Sequence, residues 1–244
     1  MQIRAPFVLA AVALGAKAAT VLTGQYSCAT SGNYQLCNDQ WGSGNGEGSQ
    51  NSTLESTSGT SITWSTTYTW SENENDVKTY ANVEPTSGAS GMTLAEITSA
   101  PTTYNWEYTS SSSGLRADVS YDIWTGTSAG DPASSTSSYE IMIWLSGEGG
   151  IDPVGSQIDS GISVAGYTWN LWSGPNSNWQ TISFVSASGN INSFSADINE
   201  FFEYLEENQG VSTSQVLQAI QAGTEAFTGT ATLSVTDFSV TVNT

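Results

Sequence analysis

Apolar positions recur with a period of two in several stretches of this chain, and the rest of the chain is organised around residues 139–145, YEIMIWL. In an extended strand, successive side chains point to opposite faces, so Tyr139, Ile141, Ile143 and Leu145 share one face and Glu140, Met142 and Trp144 the other. The first face is core. The second joins a carboxylate to a thioether and an indole, whereas a solvent-facing strand would carry threonines, serines and charges. This composition points to a lined cleft around Glu140, where lost hydration and neighbouring charges move a carboxyl pKa. It also fits an edge-of-core glutamate satisfied by a backbone donor.

Other segments follow the same period. Residues 61–70 (SITWSTTYTW) are β-branched and aromatic, residues 105–108 form a short aromatic strand, and residues 115–124 alternate, with Ala117, Val119, Tyr121 and Ile123 on one face. Asp118, Ser120, Asp122 and Trp124 take the other face. The loop 125–138 then leads into YEIMIWL, so a hairpin would bring Asp122 and Glu140 onto one surface, where two adjacent carboxylates cannot both ionise freely. A Gly-rich loop at 146–160 precedes strands predicted at 162–172 and 179–186, with a turn at 189–192. The period then changes: Ile198, Phe201, Phe202 and Leu205 recur at i, i+3, i+4 and i+7. This spacing predicts an amphipathic helix, capped by Ser195, with Asp197 near its positive end and Asn208-Gln209-Gly210 closing it. Glu200, Glu203, Glu206 and Glu207 form its solvated face. Residues 214–222 (SQVLQAIQA) favour helix by intrinsic propensity. They run into GTEAFTG at 223–229 and a β-rich end at 231–242. Glu225, between small and apolar neighbours, is a second candidate for a partly buried acid.

Composition narrows the chemistry. Residues 1–19 carry Arg4, an apolar run and the small-residue pattern Ala16-Lys17-Ala18, which reads as a secretory signal peptide, leaving residues 20–244 as one domain. No later stretch reaches the length of a membrane span. Processing would leave Lys78 and Arg116 as the only basic residues against 23 acidic ones. Such a field repels nucleic-acid phosphate and anionic lipid, and a neutral substrate fits better. The chain has no histidine, which removes Ser-His-Asp and Cys-His machinery and every His-based metal site. Carboxylates remain for acid–base work, beside nine tryptophans and ten tyrosines whose flat rings suit sugar faces. Cys28 and Cys37 are expected to pair in an oxidising compartment as a local staple. Asn51-Ser52-Thr53 is a glycosylation sequon, which predicts a surface loop there.

The two glutamate segments together resemble glycoside hydrolase family 12. The resemblance rests on YEIMIWL at 139–145, GTEAFTG at 223–229, Ser120-Tyr121-Asp122, and Phe201-Phe202-Glu203-Tyr204-Leu205. It extends to Trp41-Gly42, Asn75-Asp76-Val77-Lys78 and Gly174-Pro175-Asn176, in one order along essentially the whole mature chain. It implies an all-β fold, a β-jelly-roll sandwich of two antiparallel sheets with a concave cleft for a β-1,4-glucan and one packed α-helix. It further implies Glu140 as the nucleophile of a retaining hydrolysis, Glu225 as general acid and then base, and Asp122 as the neighbour that hydrogen-bonds Glu140. Trp41 would be a stacking platform, and Met142, Trp144 and Trp124 would face substrate. Carboxyl groups of a retaining pair stand about 5–5.5 Å apart, and no metal or organic cofactor is implied.

The chain departs from the family pattern at Ala226, where a proline is usual, at the close spacing of Cys28 and Cys37, and at 216–222, where the resemblance expects a strand against local propensity. Short side chains at 146–150 leave room for branches, and the details look most like the xyloglucan-specific endoglucanases of filamentous plant-degrading microbes, including oomycete and fungal plant pathogens. The implied setting is extracellular, in the plant apoplast for a pathogen, acting as a monomer with host inhibitor or receptor proteins as further partners. A general endoglucanase on cellulose or mixed-linkage glucan stands as the alternative. So do a non-catalytic glucan-binding lectin and an elicitor recognised through its surface.

Overall fold

The computed structural model describes residues 19–244, so the expected signal peptide lies outside the described residues except for its last position. Among the described residues, fourteen strands form two sheets joined by a shared strand, and one α-helix packs against them. The smaller sheet runs in the order β1 (Thr20–Leu22), β4 (Glu47–Ser58), β5 (Ser61–Ser71), β14 (Val216–Val240), β7 (Pro101–Ser111) and β13 (Ser193–Asp197). The larger runs β2 (Cys28–Ser31), β3 (Tyr34–Cys37), β6 (Thr79–Pro85), β14, β8 (Arg116–Gly126), β9 (Tyr139–Glu148), β12 (Trp179–Ser186), β11 (Tyr167–Asn176) and β10 (Ser156–Val164). Pairing is antiparallel except between β9 and β12, which run parallel.

Strand β14 serves both sheets. Its first half pairs with β6 and β8, and from Gly229 onward it pairs with β5 and β7. Gly229 has φ 111°, a conformation that L side chains rarely adopt, and an added Cβ would stand 2.9 Å from the Leu115 Cα. Glycine is required there because the backbone changes direction against β8.

The period-two reading of YEIMIWL is realised. Ile141, Ile143 and Leu145 enter the main core with Tyr121, Ile123 and Phe184, while Met142 and Trp144 form a separate small cluster with Ile151 and Phe227 on the other face. The hairpin between β8 and β9 also forms, with Trp124 opposite Glu140 and Asp122 opposite Met142. Helix α1 (Asn199–Gln209) packs Phe201, Phe202 and Leu205 into the main core, with the Phe201 and Phe184 rings edge to face at 5.0 Å. Gly210, in the left-handed conformation at φ 70°, ends it.

Several expectations need correction. Residues 162–172 are not one strand but parts of β10 and β11, separated by a turn in which Ala165 and Gly166 have φ 51° and 79°. Ser195 lies within β13 and does not cap the helix; the N-cap position is Ile198, which has no capping side chain, and the Asp197 Oδ1 just before it accepts from the Asn199 N–H at 3.0 Å. Asn51 lies within β4 rather than in a loop, with its side chain exposed. The helix propensity of 214–222 is overridden from Val216 onward, because β8 pairs along that stretch, residues 91–93 bond its other side at Val216 and Leu217, β6 joins at Ala222, and its apolar side chains enter the core. Cys28 and Cys37 sit directly opposite each other on β2 and β3 and form the expected disulfide.

Candidate active site

The strand order β14, β8, β9, β12 carries four carboxyl groups on the outward face of the larger sheet: Glu225 on β14, Asp118 and Asp122 on β8, and Glu140 on β9. Alternation places them there, since the intervening residues Val119, Tyr121, Ile141 and Ala222 point into the core. Register then decides which of them meet. Gly223 lies opposite Ser120 and Asn82, and a Cβ at Gly223 would be 2.1 Å from the Ala81 carbonyl oxygen. The residue preceding the Thr224-Glu225 pair must therefore be glycine for β6 and β14 to approach.

Glu140 is held from the β11–β12 side. Its Oε2 accepts from the Trp179 indole Nε1 at 3.0 Å, the Thr181 Oγ1 at 2.5 Å and the Asn176 Nδ2 at 3.4 Å. Three donors on one oxygen suit an ionised, acceptor-only carboxylate. No described residue donates to its Oε1. The Trp179 ring also meets Trp124 at 5.4 Å, which fixes the indole that reaches Glu140. Neither Trp179 nor Thr181 is a candidate from local sequence. Thr181 becomes a neighbour of Glu140 only through the parallel β9–β12 pairing.

Glu225 retains an accessible edge and is otherwise enclosed. Its carboxyl pKa is pushed well above the ordinary range, chiefly by burial, then by the charge of and hydrogen bond to Asp118, and further by the charges of Glu140 and Asp122. Asp122 is buried and also shifted upward, first by burial and then by Glu140, with the Trp124 side chain working in the opposite direction. The Asp122 Oδ1 is buried without a hydrogen-bond partner among the described residues. Asp118 is fully buried, and burial is again the main cause of its raised pKa. The alternation of 115–124 puts Asp118 on the same face as Asp122, but only the β8–β14 register reveals that it faces Glu225. Asp39, after β3, is pushed up to about 6 by burial, and its charge acts on Asp122.

The aromatic residues divide by accessibility. Trp41 is 52% exposed and free to present a ring face. Tyr26 is also exposed, and the Gln25 side-chain amide that touches its hydroxyl bonds the Gln40 carbonyl, tying the two segments together. Trp124 is half-buried. Met142 is covered, and Trp144, 2% exposed, supports the floor with no ring face left for a sugar.

Two carboxyl groups of contrasted environment, one held by three donors and the other pushed toward its protonated form by burial and like charge, can perform paired nucleophilic and acid–base work. A model of Glycosyl hydrolase family 12 matches residues 32–243. The xyloglucan-specific endo-beta-1,4-glucanase A of Emericella nidulans is 45% identical over 225 residues, 90% of each chain, and that of Aspergillus aculeatus is 42% identical over 223 residues, again 90% of each. Among solved structures, endoglucanase 3 of Trichoderma harzianum superposes with a TM-score of 0.85 at 35% identity, covering 92% of this chain and 98% of that one. The Humicola grisea catalytic domain, solved with a soaked thio cellotetraose, gives 0.86 at 36% identity, covering 92% and 99%.

Proposed function

This chain belongs to glycosyl hydrolase family 12, and from that premise we propose that it is a retaining endo-β-1,4-glucanase that cleaves the xyloglucan backbone, with Glu140 as nucleophile and Glu225 as general acid and base. The observation that carries the assignment of roles is the asymmetry of the two carboxyl groups. Three donors hold Glu140 through Oε2, leaving Oε1 to attack the anomeric carbon. Burial and like charge keep the proton on Glu225.

In the first displacement the Glu225 proton passes to the glycosidic oxygen as its bond to the anomeric carbon breaks, and Glu140 forms the glycosyl ester. Glu225, now ionised, takes a proton from water. The resulting hydroxide-like oxygen attacks the anomeric carbon, the ester breaks, and Glu140 leaves as a carboxylate. Asp122, buried next to Glu140 with an unpartnered oxygen, is pushed toward its protonated form and can share that proton with Glu140 in a hydrogen bond without giving it up, so that the region does not accumulate adjacent negative charges. Trp41 offers a stacking platform, and Trp124 lines the wall. Xyloglucan is favoured over linear glucans by the substrate named for the curated relatives. The disulfide and the acidic surface suit secretion into the plant apoplast, where host inhibitor or receptor proteins are the further partner class.

The test is reducing-end release from xyloglucan, carboxymethylcellulose and barley β-glucan side by side, with Glu140→Gln and Glu225→Gln as controls. Release confined to xyloglucan and lost in both variants is the expected result. Comparable release from the linear glucans would leave the mechanism and refute the specificity. Full activity in both variants would refute the site, and no release by the parent protein would leave a glucan-binding or host-recognised sandwich.

A further inference from the structure

Behind Glu225 lies a fully buried acid to which the reaction described above gives no role. The Asp118 Oδ1 accepts from the Glu225 backbone N–H at 3.1 Å and from the Ser120 Oγ at 2.9 Å. Its Oδ2 is buried and receives no N–H or hydroxyl donor among the described residues. Such an oxygen is costly to leave unpaired, and the Glu225 carboxyl, brought beside Asp118 by that backbone bond, can supply the proton it lacks. Two carboxyl groups can share a hydrogen bond only when one of them is protonated. Resting on the reading of Glu225 as the acid and base, we propose that Asp118 is a positioning residue for it: fixed by Ser120 and by the Glu225 backbone, its carboxylate holds the Glu225 proton in a hydrogen bond and sets the pH range over which Glu225 works.

The surroundings leave Asp118 the dominant partner. From β8, Asp122 also faces Glu225, and from β9 so does Glu140; Asp39 acts through Asp122. Tyr80 approaches from β6, and Tyr68, Tyr104 and Tyr108 approach Asp118 across the sandwich, all with pKa values raised by burial and therefore neutral. Glu148 faces Tyr68. The two cations of the described residues are engaged elsewhere: the Lys78 Nζ donates to the Asn73 and Asp76 carbonyls, and Arg116 to the Glu74 and Gly149 carbonyls and the Asn75 Oδ1. The pair therefore carries one proton and one uncompensated charge. When Glu225 gives its proton to the glycosidic oxygen, it becomes an anion beside an anion, which makes it a stronger base for the water that follows.

Asp118→Asn preserves size and both accepted hydrogen bonds, but its amide donates to Glu225 and favours the ionised form. The expected result is that the basic limb of the kcat/KM profile on xyloglucan oligosaccharides moves to lower pH by about one unit, the scale at which two sites count as coupled, while the acidic limb stays. A merely structural role would lower kcat without moving the limb, and an unmoved limb overturns the proposal. Because a buried variant can fail to fold, carboxyl carbon NMR of the isotopically labelled parent protein gives a second measurement, with the Glu225 resonance assigned by its loss in Glu225→Gln. Two-step titration of that resonance supports the proposal, and a single step overturns it. If Glu225→Gln keeps full activity, the acid–base reading itself falls and takes this inference with it; an inactive Glu225→Gln with an unmoved limb removes the inference alone.

Discussion

Asp39 offers a quantitative test of the burial argument. Its carboxyl is raised from 3.8 to about 6 by desolvation alone, and it sits at φ 27°, a backbone region that asparagine enters more readily than most residues. Asp39→Asn therefore removes the charge without adding strain. Between the unfolded pKa near 4 and the folded value near 6, the native state binds more protons than the unfolded state, so stability falls as pH rises through this window. A shift of that size corresponds to at most roughly 3 kcal/mol above pH 6. Because Asp39 keeps part of its surface in water, about 1–2 kcal/mol is expected. For a domain of this size that corresponds to a Tm gain of about 3–6 °C for the variant at pH 7. The gain should shrink toward zero by about pH 3.5, where Asp39 is protonated in the folded state and mostly so in the unfolded one. Calorimetry of both proteins from pH 3.5 to 7.5 provides the assay. A Tm difference independent of pH, or a variant less stable at pH 7, would refute the reasoning.

Three further outcomes follow from the geometry. Trp179→Phe removes the indole N–H from Glu140 while keeping an aromatic ring against Trp124; loss of a hydrogen bond to a charged group, about 1.5–3 kcal/mol, should lower kcat/KM by tenfold or more with Tm changed much less. Gly223→Ala must push β14 from β6, since its Cβ would meet the Ala81 carbonyl, and urea unfolding should show a loss of about 1–3 kcal/mol; an unchanged midpoint would contradict the packing. Replacing Cys28 and Cys37 together by alanine opens a loop with a sequence separation of 9, and the chain-entropy model expects a loss of about 2–3 kcal/mol in the same measurement.

Much of the fold was legible locally, because a strand with one buried face must alternate and a helix on a core must repeat near 3.6 residues. That is why 139–145 and 198–205 found their places, and why Glu140, Asp122 and Trp124 were assigned to one face. Local patterning failed where pairing partners made the decision. The stretch 214–222 has helical propensity and becomes a strand from Val216 because β8 pairs along it while residues 91–93 and then β6 take parts of its other side, and 162–172 breaks at Ala165-Gly166 because β11 returns along β10.

The site divides in the same way. Sequence by itself narrowed the candidate acid–base groups to carboxylates above all, since the chain lacks histidine, and the resemblance of the two glutamate segments pointed to Glu140 and Glu225. Only the tertiary structure decided what surrounds them. Thr181 and Trp179 reach Glu140 because β12 runs parallel to β9, and Asp118 reaches Glu225 because β14 lies beside β8 in one register. A carboxylate's proton affinity depends on groups a few ångströms away in space, and in a sandwich built from long-range pairings those groups lie tens to more than a hundred residues apart along the chain.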